Sequence, residues 1–314
     1  MVNIVFIQTE KEKINNNSIE SLVAIQNFSK QTNDEIYAVT FNEEVANQLK
    51  SYNLNKIIYI DNSELHEYNA LYYTSAFKQL NDKYSLKIIC FGHTYQTRDW
   101  VPRLSARLNI PFIADCVKFT IDEGISFYRP VYQAKLNEKV NFNDTSIISF
   151  QAGSYSKDDI QNGNTEIEKI SLDFSNISKT IRPGEKFKET AGGVDLTSAD
   201  VIVSIGRGIS KKENIPIAES LANKLNAQIG ASRPVVDAGW LDHSRQIGSS
   251  GQTVSPKLYF ALGISGAIQH LVGMKGSKQI IAINKDPNAP IFEIADYAVI
   301  GDLLEILPKL TDNL

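Results

Sequence analysis

Leu258-Tyr259-Phe260-Ala261-Leu262-Gly263-Ile264-Ser265-Gly266-Ala267-Ile268-Gln269-His270-Leu271 is the stretch from which this 314-residue chain is best read. Five apolar residues, Leu258–Leu262, have the length and character of a strand buried on both faces. The run ends abruptly in Gly263-Ile264-Ser265-Gly266. Ala267, Ile268, Leu271 and Val272 then fall at helical spacing, which predicts a helix over Gly266–Met274. In an open parallel sheet, ligands lie at the carboxyl ends of the strands. Small residues there admit a phosphate, and a helix N-terminus supplies free N–H donors.

The same pattern recurs on either side. Val201–Ile205 runs into Gly206-Arg207-Gly208, and a helix carrying Ile217, Ala218, Leu221, Ala222 and Leu225 follows, with Pro216 in its first turn. Gln228–Ala231 leads to Ser232-Arg233-Pro234. Gln279–Ile283 ends at Asn284, and Tyr297–Ile300 ends at Gly301-Asp302. This alternation predicts a doubly wound dinucleotide-binding domain. The spacing GxGxxG is absent, and glycine at a strand end is also ordinary turn chemistry, so spacing alone leaves both readings open.

Val2–Ile7, Ile36–Phe41, Lys56–Ile60 and Lys87–Phe91 read as buried strands alternating with helical segments around Ile19–Asn27, Val45–Leu49, Leu71–Leu80 and Asp99–Leu108. A mostly parallel α/β domain follows from that order. Phe112–Thr120, Ile125–Tyr132, Gln133–Val140 and Thr145–Gln151 read as added antiparallel strands. Residues 152–165 read as a surface loop. Ile181–Lys186 and Gly192-Gly193 suggest a linker, dividing the chain into 1–190 and 191–314. The fold class expected is therefore α/β with two domains.

The formal net charge is −4 and no block of Lys and Arg stands out, which argues against a nucleic-acid partner or an anionic-membrane surface. Cys90 and Cys116 form no CxxC, which excludes a disulfide framework or a four-cysteine cluster within the chain. Two buried thiols are the expectation. Four histidines without HxxxH or HExxH spacing argue against a zinc site. No 18-residue apolar run and no basic leader are present, so no membrane insertion and a bacterial cytoplasmic location are expected.

Several stretches follow one another in order from about residue 200 to 310. They are Gly206-Arg207-Gly208, Gly230-Ala231-Ser232-Arg233-Pro234-Val235-Val236-Asp237-Ala238-Gly239-Trp240, Gly248-Ser249-Ser250-Gly251, Val254-Ser255-Pro256-Lys257-Leu258-Tyr259, Gly263 to Leu271, and Ala282-Ile283-Asn284-Lys285-Asp286-Pro287-Asn288-Ala289-Pro290-Ile291-Phe292. This succession resembles the C-terminal domain of electron transfer flavoprotein alpha subunits. The first domain resembles the family more loosely, at Pro102–Leu108 and Tyr128-Arg129-Pro130.

The resemblance implies an electron carrier rather than a substrate-transforming enzyme. One FAD would be held in this subunit, and the partner would be an electron transfer flavoprotein beta subunit carrying AMP or a second FAD. Single electrons would pass from acyl-CoA dehydrogenases or other flavoprotein donors in fatty-acid β-oxidation, through an anionic semiquinone, to a membrane quinone oxidoreductase. Arg207, Ser232, Asn284, Asp302 and Leu303 match positions at the adenosine and diphosphate end. Ser265, Gly266, Ala267, Ile268, Gln269 and His270 match the turn and helix start against the cofactor. Arg233, Ser249, Ser250 and His270 match positions around the isoalloxazine, with Gly248 opening that loop. Relatives often carry Gln-Thr where this chain has Ser249-Ser250; the second hydroxyl is retained and the first amide is not.

Each residue has a second reading. Arg233 could pair with Asp237. Ser249-Ser250 could be a plain turn, and Arg207 could sit in a solvated loop. His270 could be a satisfied core histidine, or donate to the flavin C2 carbonyl. Ser265 could cap its helix. Asp302-Leu303-Leu304-Glu305 has the form of a capping box, and Asp302 could instead accept from a ribose hydroxyl. Rival functions are a nicotinamide-dependent dehydrogenase, a non-catalytic nucleotide sensor, and an electron-bifurcating member of the same family.

Overall fold

The computed structural model describes residues 1–314 apart from 11, 123, 133–134, 143–144 and 185–193. The chain divides into two compact units, Met1–Lys186 and Phe187–Leu314. The boundary expected near residue 190, with Gly192-Gly193, lies outside the described residues.

In the first unit the strands are β1 (Val2–Phe6), β2 (Thr9–Glu10), β3 (Lys13–Ile14), β4 (Glu35–Thr40), β5 (Lys56–Ile60), β6 (Leu86–Gly92), β7 (Phe112–Cys116), β8 (Lys118–Ile121), β9 (Ile125–Val131), β10 (Leu136–Phe142), β11 (Ser146–Phe150) and β12 (Ile167–Ile170). The helices are α1 (Asn16–Thr32), α2 (Glu43–Leu49), α3 (Ala70–Lys83) and α4 (Tyr95–Leu108). Seven strands form a parallel sheet in the order β12-β5-β4-β1-β6-β11-β7. Alternation sends Ile4 and Phe6 to one core with α3 and α4, and Val5 and Ile7 to the other with α1 and α2.

Three expectations need correction here. Thr145–Gln151 is not antiparallel: β11 runs parallel between β6 and β7. Its five residues are all buried, so it takes an inner place in the sheet. Phe112–Thr120 is two strands, β7 in the parallel sheet and β8 in a separate antiparallel sheet ordered β10-β9-β8. Asp115, at φ +62 near the end of β7, bends the chain before β8 begins. Helix α4 begins four residues earlier than Asp99, because Thr94 and Thr97 cap it reciprocally. The edge strand β12 was not foreseen.

The second unit contains β13 (Val201–Ile205), α5 (Ile215–Lys224), β14 (Gln228–Ala231), α6 (Arg233–Asp237), β15 (Leu258–Leu262), α7 (Ile268–Leu271), β16 (Ile280–Asn284), β17 (Tyr297–Ile300) and α8 (Leu303–Asp312). Its parallel sheet has the order β14-β13-β15-β16-β17. Helices α5 and α8 cover one face through Ala218, Leu221, Leu303 and Leu307. Leu196, Ile247, Val254, Tyr259, Ile264 and Met274 build the core on the other. The architecture is thus α/β with two parallel-sheet units.

The helix expected over Gly266–Met274 shrinks to the single turn of α7. Gly266 has φ +88, outside helical space, and a Cβ there would lie 2.2 Å from the Ile291 amide nitrogen. Ser265 is therefore not the helix cap; Ala267 holds that position, with no side-chain bond.

Candidate cofactor cleft

Strand order reverses between β13 and β15, since the chain moves outward to β14 and returns on the other side of β13. The crevice beyond the carboxyl ends at such a reversal is where α/β sheets bind ligands. A cleft of about 570 Å³ lies there, within the range of small-molecule sites. Four of the five strand ends contribute: Arg207 and Gly208 follow β13, Ser232 to Pro234 follow β14, Gly263 to Ser265 follow β15, and Asn284 ends β16. Gly248 to Ser250 and His270 close the remaining side.

Glycine makes the reversal passable. A Cβ on Gly206 would sit 2.2 Å from the Gly263 carbonyl oxygen, and one on Gly208 would sit 2.5 Å from the Gly263 Cα. The β13 and β15 end loops meet backbone to backbone, with the Gly208 amide donating to the Gly263 carbonyl at 3.0 Å. Asn284 spans the next gap, its Nδ2 donating to the Ile264 carbonyl at 2.9 Å. Its amide therefore braces the floor of the crevice.

Arg207 and Arg233 are the cations in the lining, with Asp286 the acid. Arg207 has no ion-pair partner among the described residues. Arg233 Nε lies 3.2 Å from Asp237 Oδ2, and both side chains are more than half exposed. An exposed i,i+4 pair of this kind is weak and easily exchanged, so the pairing with Asp237 and a place in the cleft coexist.

His270 is 6% exposed and has both ring nitrogens engaged. Nδ1 faces the Ile247 carbonyl at 3.1 Å, and Nε2 faces the Tyr259 hydroxyl at 2.9 Å. A carbonyl only accepts, so Nδ1 carries the hydrogen and Nε2 accepts from Tyr259. Burial pushes the imidazole down to about 4, against the smaller upward effect of the Ile247 carbonyl. The ring is a neutral group with both nitrogens engaged by the protein.

Of the residues singled out in the sequence, Arg207, Ser232, Arg233, Gly248, Ser249, Ser250, Ser265, Ala267, Gln269, His270 and Asn284 line the cleft. Gly266, Ile268, Asp302 and Leu303 do not. Leu303 is buried against α5 in the core. Asp302 is the N-cap of α8, accepting from the Leu304 amide at 2.9 Å, and pairs with Lys285 at 2.8 Å. The Lys285 ammonium holds this carboxyl below its usual range. Pro234, Ile247, Asp286, Ala289 and Pro290 also line the cleft without having been singled out. Four of them stand in quoted motifs; Ile247 only precedes one, at Gly248.

Residues 3–175 match the electron transfer flavoprotein domain, and residues 195–275 match the electron transfer flavoprotein FAD-binding domain. The electron transfer flavoprotein subunit alpha of Bacillus subtilis (strain 168) is 37% identical over 320 residues, covering 99% of this chain and 96% of the relative. The chain belongs to the electron transfer flavoprotein alpha subunit family. The alpha subunit of Thermoanaerobacterium thermosaccharolyticum is 35% identical, again over 99% of this chain and 96% of its own. The acryloyl-CoA reductase electron transfer subunit beta of Anaerotignum propionicum is 32% identical over 98% of this chain and 94% of its own. FAD is the cofactor of this electron transfer flavoprotein domain. The cleft suits such a ligand on its own terms: glycine backbone at the strand ends, two arginines and a serine pair. No helix among the described residues is long and apolar enough to cross a membrane.

Proposed function

We propose that this chain is the FAD-holding half of a heterodimeric single-electron carrier. It pairs with a beta subunit that carries AMP or a second FAD. It takes electrons from flavoprotein dehydrogenases such as acyl-CoA dehydrogenases and delivers them to a quinone oxidoreductase, in the bacterial cytoplasm. The observation that supports this is the β13–β15 crevice, where two arginines and the Ser249-Ser250 loop face one glycine-floored cleft.

FAD, when bound, supplies the one-electron chemistry. Arg207 is the group for the diphosphate, because its planar fork of donors matches phosphate oxygens. Ser232, buried to 7% exposure with its hydroxyl free of a capping bond, and Asn284 belong at the adenosine end. Arg233 places a cation beside the ring, which favours a ligand that gains negative charge. Ser250 offers a hydroxyl donor. His270 stays neutral and keeps the wall closed to water.

Anaerobic reduction of the chain co-purified with its beta subunit, followed by visible spectra, tests this reading. One FAD passing through a red anionic semiquinone is the expected result. Two flavins, one of them reduced by NADH, would replace it with electron bifurcation; a colourless complex would end it.

A further inference from the structure

The loop carrying Ser250 is held from behind by a residue outside the lining. Gln246 is 3% exposed. Its Nε2 lies 3.0 Å from the Ser250 carbonyl oxygen and 3.0 Å from the Ser250 Oγ. A carbonyl oxygen can only accept, so the amide atom facing it must be the amino nitrogen. That same nitrogen faces Oγ as a donor, which makes Oγ the acceptor. The single hydroxyl hydrogen of Ser250 is then left to point elsewhere. Ser250 is exposed at the cleft, so the direction open to it includes the ligand space.

The main chain keeps Gln246 in place. Its carbonyl accepts from the Gln252 amide at 2.7 Å, and its own amide donates to the His243 carbonyl at 3.0 Å. Gly251 closes the loop so tightly that a Cβ there would lie 2.3 Å from the Gln246 carbonyl oxygen. A buried amide on a closed loop has little freedom to turn over.

We propose that Gln246 is a positioning residue: by donating to the Ser250 hydroxyl oxygen it makes that hydroxyl a donor toward FAD rather than toward the protein. This rests on the reading of the cleft as the FAD site and adds the group that sets the polarity of its serine. Gln246 itself does not reach the lining.

The test is a double-mutant cycle on the FAD-loaded complex with the beta subunit, read as the first reduction potential. In Gln246→Glu the carboxylate accepts from Ser250 and takes its hydrogen out of the cleft. We expect Gln246→Glu and Ser250→Ala each to weaken one-electron reduction about tenfold, about 59 mV for one electron. Ser250→Thr should keep the wild-type potential. In the Ser250→Ala background, Gln246→Glu should lower the potential by clearly less than it does in the wild type, the remainder being the through-space effect of its new charge. If the glutamate variant takes up no FAD, Gln246→Met is read through the same cycle, with a smaller drop expected. A Gln246 substitution that changes nothing, or lowers the potential equally with and without Ser250, overturns the proposal. If the wild-type complex takes up no FAD, the cofactor reading falls and this proposal falls with it.

Discussion

The β1–β6 junction of the first unit and the β13–β15 junction of the second are both points where strand order reverses, yet they are finished in opposite ways. At the first, side chains bond across the gap and beside it. Thr94 Oγ1 donates to Gln8 Oε1 at 2.7 Å, Thr97 Oγ1 donates to the Gly92 carbonyl at 2.6 Å, and His93 Nδ1 meets Ser149 Oγ at 2.9 Å. Glu20, 7% exposed, accepts from the Gly153 amide at 2.6 Å beside them. At the second, Gly206, Gly208 and Gly263 meet as bare backbone, and the polar side chains stand around an open cleft. At the second junction the strand ends approach as glycine backbone beside a cleft, whereas at the first, Gly92 apart, they carry side chains that bond one another.

Substituting the glycines should separate the two junctions most sharply. Gly206→Ala puts a Cβ onto the Gly263 backbone, and either loop must move. A loss of about 3 kcal/mol or more in the second unit, with loss of bound FAD, is expected from urea unfolding. Gly92→Ala meets Asn17 at 3.1 Å, where a small shift suffices; a loss of about 1 kcal/mol confined to the first unit is expected. Equal effects would mean that the glycines at the second junction have no special role.

The units should also answer pH in opposite directions. Burial lifts the Glu20 carboxyl to about 7, against the Gly153 amide and Lys157, from an ordinary 4.5. The folded first unit thus binds the proton more tightly than the unfolded chain, and its stability falls as pH rises from about 4.5 to 7. His270, lowered to about 4 from 6.5, binds its proton less tightly when folded. The second unit therefore gains stability as pH rises from about 4 to 6.5. Each effect is on the order of 3 kcal/mol at most. Trp100 reports the first unit and Trp240 the second, so single-tryptophan variants unfolded at pH 4.5 and 6.5 would read both slopes. Glu20→Gln should flatten the first slope alone; parallel slopes in the two units would refute the assignment.

The cation in the cleft is the next smaller contrast. Arg233→Ala should lower the first reduction potential by about 100 mV, if a charge-assisted contact of about 2–3 kcal/mol is lost. Asp237→Ala removes only an exposed partner and should change stability by less than about 0.5 kcal/mol. Spectroelectrochemistry on both variants checks the pair, and an unchanged potential in Arg233→Ala would return that residue to its surface ion pair.

How much of this was legible beforehand varies with distance along the chain. Val201–Ile205 and Leu258–Leu262 announced themselves as strands because burial on both faces demands a mostly apolar run, broken here only by Ser204. The glycines after them were legible because a tight strand end has a local steric requirement. The succession of motifs from Gly206 to Phe292 carried the family, and most of the cleft lining with it. Asp302 carried two readings, since one carboxylate satisfies a helix N-terminus and a ligand hydroxyl equally well; its bonds to Leu304 and Lys285 came from folding.

The sequence by itself determined the alternation of strands and helices, the glycine punctuation and the absence of a basic surface block, because each depends on neighbours a few residues apart. Tertiary structure alone decided that β11 lies parallel between β6 and β7, that α7 is one turn long, that His270 is held by Tyr259 and Ile247, and that Gln246 donates to Ser250. The reason is physical: strand order, backbone approach and the direction of a shared hydrogen depend on which groups folding brings within about 3 Å, and chain spacing does not encode that distance.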